Sequence, residues 1–220
     1  LVYVRAGQPI VLTPGILMGI TAPVTVAGAM VQAFAELIGC ITLAQVLEPG
    51  APLVIGTGGF GADLRVGGSG FGTPEQAQAI VDCTRYPPAG RRGAAFNVAA
   101  HDDYAGGSER DKIEQANART MVIALVETAK GIANVDAIAA VEGIDVVWLG
   151  HYDLTNFLGI PGQFDHPKFH AAVDRLVAVC KKHGKTPGFL AGDGNWARDF
   201  RAKGFRMVAY GVDALLMQNA

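Results

Sequence analysis

From Lys112 onward, short β-branched runs alternate with helical stretches, and this alternation limits the possible folds more than any other feature of the chain. The runs at 121–126 (MVIALV), 145–149 (DVVWL), 186–190 (TPGFL) and 206–210 (RMVAY) have the usual length of strands. Between them, 132–141, 168–183 and 196–203 carry apolar residues at helical spacing, with Gly131, Gly143, Gly184 and Gly204 as punctuation. Strands that are apolar on both faces need cover on both, so the pattern predicts parallel βα units with helices packed over a sheet. At 220 residues, one α/β domain with a substantial core is the expectation.

The first part repeats the alternation: strand candidates at 9–12 and 53–55 flank an apolar stretch at 24–47. That stretch is long enough to span a bilayer. Gln32, Glu36 and Gln45 interrupt it, and Gln32 and Glu36 lie one turn apart on one face, so a buried helix is expected and no membrane span. The segment 56–72 carries eight glycines in seventeen residues but lacks both G-x-G-x-x-G and P-loop spacing, so it reads as a loop or linker rather than a phosphate cradle. The composition break at 67–73 is the candidate boundary. Six strand candidates fall short of the eight of a closed (β/α)₈ barrel. Either a strand is hidden, near 2–4 or 93–98, or the barrel is incomplete.

Half the residues are hydrophobic, 17% are charged and the net charge is -2, a balance that offers no field to gather nucleic acid or an anionic membrane. Cys40, Cys83 and Cys180 are far apart and show no C-x-x-C spacing, which suits reduced thiols in a cytoplasmic protein. The chain begins at Leu1, without the charged start of a signal peptide, and reads as a fragment. It ends soon after the last strand candidate, so weak stability or reliance on a partner subunit is expected.

Two carboxylates stand where chemistry is expected. Glu127 closes MVIALVE, and Asp153 follows DVVWL through Gly150, His151 and Tyr152, so both project from the carboxyl ends of consecutive parallel strands. Ligands bind at that edge, and neighbouring strands are about 4.8 Å apart, so the two groups can share one ion. Hard oxygen ligands with open positions suit Mg²⁺ or Mn²⁺. First-turn acids that favour a helix dipole would look the same, and spacing alone does not separate the two readings. His101 with Asp102 and Asp103 imitates a metal cluster but has no third ligand at matching spacing, and a polar loop is the simpler reading. Trp148 is expected in the core, while Trp196, His166, His170 and His183 are expected to pack on or cap helices.

The local sequence separates the readings for Glu127 and Asp153. Residues 121–162 (MVIALVETAKGIANVDAIAAVEGIDVVWLGHYDLTNFLGIPG) resemble the HpcH/HpaI (4-hydroxy-2-oxoheptane-1,7-dioate) aldolase and citrate lyase family. The resemblance takes in TPEQAQAIVDCTRYPPAGRRG at 73–93, FDHPKF at 164–169, HGKTPGFLAGD at 183–193 and GFRMVAYGVDALLMQ at 204–218. It implies a (β/α)₈ TIM-barrel-like fold, a homo-oligomer, and Mg²⁺ or Mn²⁺ held by Glu127 and Asp153. The implied activity is that of a class II aldolase, which makes or breaks C–C bonds of 4-hydroxy-2-oxo acids with pyruvate or a similar 2-oxo acid as the enolate component. Backbone N–H groups of the turn Gly150, His151, Tyr152 and Asp153 would orient the substrate carboxylate, and Leu190 would line the pocket.

There are departures from the family pattern. A Gln common two residues before the metal-binding Glu is Leu125 here, and a Pro common after the motif's Gly is His151. His151 is thereby a weak candidate proton carrier, weighed against a second-sphere or solvent-facing residue. Before residue 73 nothing matches the aldolases' substrate-contacting Arg or the His near the reacting hydroxyl. Instead 14–75 resembles an internal piece of the trimethylamine methyltransferase family, which works with corrinoid proteins. The chain thus reads as one barrel-like domain, incomplete or chimeric, with a methyltransferase-like segment at 1–72 and an aldolase-like segment at 73–220. The alternatives to an active aldolase are a chimeric barrel that binds metal only, or a corrinoid-dependent methyltransferase-like protein.

Overall fold

The computed structural model describes residues 2–16, 22–23, 25–56, 62–63, 68–69, 72–94, 96 and 106–212. The chain divides into two compact units, 1–70 and 71–220.

The first unit contains α1 (Val2–Arg5), β1 (Ile10–Leu12), α2 (Val26–Leu47) and β2 (Leu53–Ile55), and β1 pairs β2 in parallel with Ile10 opposite Leu53. Both expected strands are present. The strand considered near 2–4 is instead the one-turn helix α1, because its carbonyls are used locally: Tyr3 O accepts from Ala6 N at 3.1 Å and Val4 O from Gly7 N at 3.0 Å. Thr25 caps α2 by accepting from Gly28 N at 3.2 Å. Gln32 Nε2 donates to Glu36 Oε1 at 2.9 Å, so the pair read as sharing one face does so. The expected burial of α2 is not met. Ala29, Ala33, Leu37 and Ala44 are buried, whereas Val31 (70%), Leu43 (60%) and Val46 (73%) are exposed. A helix apolar all round can bury only the stripe it lays on its neighbours, and here that stripe is narrow and mostly alanine. By length and composition alone, α2 is able to cross a membrane. Within the glycine-rich run, which reads from sequence as a loop, β3 (Ala62–Asp63) and β4 (Gly68–Ser69) form a short antiparallel pair.

The second unit starts with α3 (Pro74–Thr84), where Thr73 and Gln76 form a reciprocal capping box, and α4 (Glu109–Arg119), capped by Ser108. There follow β5 (Ile123–Val126), α5 (Ala129–Ala133), α6 (Val135–Ala140), β6 (Val146–Leu149), α7 (His151–Phe157), α8 (Pro167–His183), β7 (Thr186–Ala191), α9 (Gly194–Lys203) and β8 (Met207–Tyr210). The four strands form a parallel sheet in sequential order, as the alternation predicts. The single helix expected over 132–141 is two, broken at Asn134, which ends α5 and begins α6 at φ -95°, ψ 4°. Residues 93–94 are not strand and Phe96 lies in a turn, so the second possible hidden strand is not formed there; 97–98 and the His101–Asp103 group lie outside the described residues.

Alternate strand residues divide between two faces. Ala124, Val126, Val147, Leu149, Phe189 and Ala191 are buried under the helices, where Phe189 stacks on Phe200 with ring centroids 3.6 Å apart. The other face aligns Leu125, Trp148, Gly188 and Met207 in register, and Leu125 is 45% exposed. A Cβ on Gly188 would collide with the Trp148 ring, so glycine there makes room for the indole.

The amino edge of the sheet is held by polar contacts. Asp145 Oδ2 accepts from Val122 N at 2.7 Å and from Arg85 Nη2 at 3.0 Å, and Arg85 Nη1 also donates to Asn117 O. Asn117 pairs with both backbone groups of Tyr86, at 2.8 and 3.1 Å. The RYPP segment is thereby tied to the starts of β5 and β6, the end of a parallel sheet that serves stability rather than ligand binding. Replacing Arg85 with Ala should cost about 2 kcal/mol in urea unfolding, and leave divalent-metal affinity of the folded protein unchanged; a metal-affinity loss of the same size would contradict this division of roles.

Candidate metal and substrate site

Glu127 is the first residue beyond β5, and Gly150 the first beyond β6. Val126 stands opposite Leu149, and Gly150 N donates to Val126 O at 3.0 Å, so the pairing continues past the strand ends and sets the two residues side by side. The Glu127 side chain lies over Gly150: a Cβ at position 150 would sit 2.5 Å from Glu127 Cβ and 2.7 Å from Oε2. Glycine is required by this close approach, since the φ of -87° would suit any residue. Gly150 begins α7, which brings Asp153 into the first turn, exposed and on the same carboxyl edge. Leu190 stands opposite Ala209, half-buried near the end of β7. Thus Glu127, Gly150 and Asp153 gather at the ends of two adjacent strands, with Leu190 one strand further on.

His151 is only 5% exposed, so a solvent-facing position is excluded. Its ring lies 4.8 Å from Phe189, 5.3 Å from Trp196, 5.6 Å from Phe164 and 4.5 Å from Tyr152, centroid to centroid. This wall of rings solvates a charge poorly, and burial pushes the imidazole pKa down from 6.5 to about 4. Trp196 therefore packs as expected, and His166 caps α8, its Nδ1 accepting from Lys168 N at 3.1 Å. His183 joins Lys182 on Asp136, whose carboxyl is held below its usual range by the hydrogen bonds from Lys182 and His183.

A third carboxylate, Asp193, follows β7, but its Oδ1 accepts from Asn195 N at 2.8 Å and Trp196 N at 2.9 Å as the cap of α9. Sequence reasoning passed over Thr128, which is 5% exposed and caps α5 by accepting from Gly131 N at 2.9 Å. A Thr immediately before a helix was the available signal. A cavity of about 610 Å³, bounded by Gln163, Phe164, His170, Trp196 and Lys203, lies between the start of α8 and α9 and does not include Glu127 or Asp153. The two carboxylates are a donor set suited to a hard divalent cation that keeps water and substrate in its remaining positions. Among the described residues no group of three or more His, Cys, Asp or Glu gathers.

Replacing Gly150 with Ala removes no ligand yet should displace Glu127 and weaken Mn²⁺ binding roughly tenfold or more; calorimetric titration showing wild-type affinity would contradict the close approach. His151 gives a pH prediction. The unfolded chain takes up this proton below pH 6.5 and the folded one only below about 4, so stability falls as pH drops through that window. The loss is of order 3 kcal/mol. In His151→Phe, which keeps an aromatic ring, Tm should fall less steeply between pH 7 and 4; equal slopes would contradict the neutral buried ring.

Over residues 71–220 the chain matches the HpcH/HpaI aldolase/citrate lyase family, and over 1–87 it is similar to trimethylamine methyltransferase (MTTB). A 2-keto-3-deoxy-L-rhamnonate aldolase of Salmonella dublin is 38% identical over 148 residues, 67% of this chain and 55% of that protein; one of Salmonella newport (strain SL254) matches to the same extent. The chain spans about half the length of the curated relatives it matches. The solved HpcH/HpaI aldolase from Desulfitobacterium hafniense DCB-2 has TM-score 0.75 at 22% identity, covering 99% of this chain and 82% of that one. An HpcH/HpaI aldolase/citrate lyase family protein from Burkholderia cenocepacia J2315 has TM-score 0.69 at 27% identity, covering 99% and 84%. The fold class is therefore TIM-barrel-like α/β with parallel sheets. With 150 consecutive residues matched, including the strand ends that carry both carboxylates, the chain belongs to the HpcH/HpaI aldolase/citrate lyase family.

Proposed function

We propose that this chain supplies the metal-binding part of a class II aldolase that makes or breaks the C3–C4 bond of 4-hydroxy-2-oxo acids, with pyruvate or a similar 2-oxo acid as one partner. The observation that carries the reading is the approach of Glu127 to Gly150 at adjacent strand ends, with Asp153 in the turn that follows. The curated relatives named as 2-keto-3-deoxy-L-rhamnonate aldolases support the substrate class, since such an acid has a carbonyl at C2, a methylene at C3 and a hydroxyl at C4. Mg²⁺ or Mn²⁺ held by Glu127 and Asp153 would supply positive charge against the oxygen at C2 as the bond breaks. Backbone N–H groups from Gly150 to Asp153 would orient the substrate carboxylate, and Leu190 would bound the pocket on the β7 side. In cleavage, the C4 hydroxyl gives up its proton to water as the aldehyde C=O forms, the C3–C4 electron pair passes into a C2–C3 enolate, and uptake of a proton at C3 completes the 2-oxo acid.

The neutral, enclosed ring of His151 favours a packing role under α7 over that of proton carrier. The reading includes a cytoplasmic homo-oligomer formed from one barrel-like domain, with no nucleic-acid or membrane partner; the free thiols Cys40, Cys83 and Cys180 suit such a compartment. A second reading, metal binding without turnover, draws on Leu125 and on the methyltransferase-like match over 1–87.

The test is pyruvate release from a 2-keto-3-deoxy sugar acid and from 4-hydroxy-2-oxoheptane-1,7-dioate, with Mn²⁺, with chelator, and in Glu127→Ala and Asp153→Ala. Activity should vanish with chelator and drop by about 10²-fold or more in each variant. Turnover that survives both chelator and substitution would overturn the proposal, and Mn²⁺ binding without turnover would favour the second reading.

A further inference from the structure

The turn that carries Glu127 is gripped from outside its own strand. Gly72 lies against the first turn of α5: a Cβ there would sit 2.6 Å from Gly131 N, 2.8 Å from Gly131 Cα and 2.9 Å from Thr128 Oγ1, and the φ of +135° also favours glycine. A Cβ at position 131 would meet Gly72 Cα in ordinary contact at 3.5 Å and would press more closely on Thr128 Oγ1 and Val126 Cγ1, each at 3.1 Å. Both backbone polar groups of Gly72 are held. Its N–H donates to Gln76 Oε1 at 2.9 Å, within the α3 capping box, and its carbonyl accepts from Asn134 Nδ2 at 2.8 Å. Asn134 is itself fixed at the α5–α6 break, where its N–H donates to Lys130 O and its carbonyl accepts from Ile138 N, each at 3.0 Å. A continuous path therefore runs from Asn134 through Gly72 to Thr128, the residue next to Glu127.

We propose that Asn134 is a positioning residue for the Glu127 carboxylate, holding Gly72 against Thr128 and Gly131 so that the turn after β5 has one place to sit. The proposal rests on the reading of Glu127 as a metal ligand. Partners outside the immediate ligands commonly set metal affinity, because a ligand displaced by a fraction of an ångström no longer fits the ion.

The experiment uses the full chain as wild type, Glu127→Ala, Asn134→Ala and the isosteric Asn134→Asp, which retains a side chain of the same size if the Ala variant fails to fold. Mn²⁺ alone is titrated calorimetrically, and amide hydrogen exchange is followed over 127–133 without metal. Both Asn134 variants should bind Mn²⁺ roughly tenfold more weakly than wild type, with faster exchange after Glu127. A carboxylate at 134 acting through charge alone would tighten Mn²⁺, so weaker binding in Asn134→Asp marks loss of the Nδ2 donor. Wild-type affinity in the folded Asn134 variants, or weaker binding with unchanged exchange, overturns the proposal. If wild type binds no better than Glu127→Ala, the ligand reading has failed and the positioning role falls with it.

Discussion

The site depends on the parallel pairing of β5 with β6. Val126 opposite Leu149 puts Glu127 next to Gly150, and a shift of one residue would reverse the face of every side chain on one strand and move its carboxylate away. That register is secured on both sides of the sheet. Val126, Leu149 and Phe189 are buried under the helices, while Asp145 bonds both Val122 N and Arg85 at the opposite edge. The carboxyl edge carries an exposed Asp153 in the first turn of α7 and a Glu127 set close over a position that tolerates only glycine. Stability at one end of the sheet and chemistry at the other is the usual economy of parallel α/β folds.

The strands and helices of 121–210 were legible because buried parallel strands must be apolar on both faces, and such runs announce themselves. The positions of Glu127 and Asp153 after such strands mark them as residues of the ligand edge, but spacing does not tell a metal ligand from a first-turn acid, and their reading as ligands rests on the family resemblance. Less legible were features that depend on tertiary neighbours. The break at Asn134 interrupts a stretch whose periodicity reads as one helix, and the partner of its side chain, the Gly72 carbonyl, is 62 residues away in sequence. His151 reads as polar, yet in place it is one ring among several. Gly150 and Gly72 look like ordinary loop glycines in sequence; the reason for the first is the Glu127 side chain lying over it, and for the second the Gly131 backbone against it together with a φ of +135°.

The first unit illustrates the opposite limit. A hydrophobic stretch predicts a helix, and α2 is one, but composition does not say how much of its circumference finds a partner. Ala29, Ala33, Leu37 and Ala44 bury a narrow line, and Val31, Leu43 and Val46 lie outside it. The two sequence resemblances run through this chain in the same order as its two compact units, with the aldolase-like match beginning at residue 71. The hydrogen bond between Gly72 and Asn134 lies wholly inside that match.

The central claim is that Glu127 and Asp153 share one divalent ion. Anomalous diffraction from crystals grown with Mn²⁺ and pyruvate tests it most directly. The account predicts one peak at the carboxyl edge of β5 and β6, within about 2.2 Å of an oxygen from each side chain, with pyruvate oxygens and water completing the shell. A peak elsewhere, or none at this edge under saturating Mn²⁺, would contradict it.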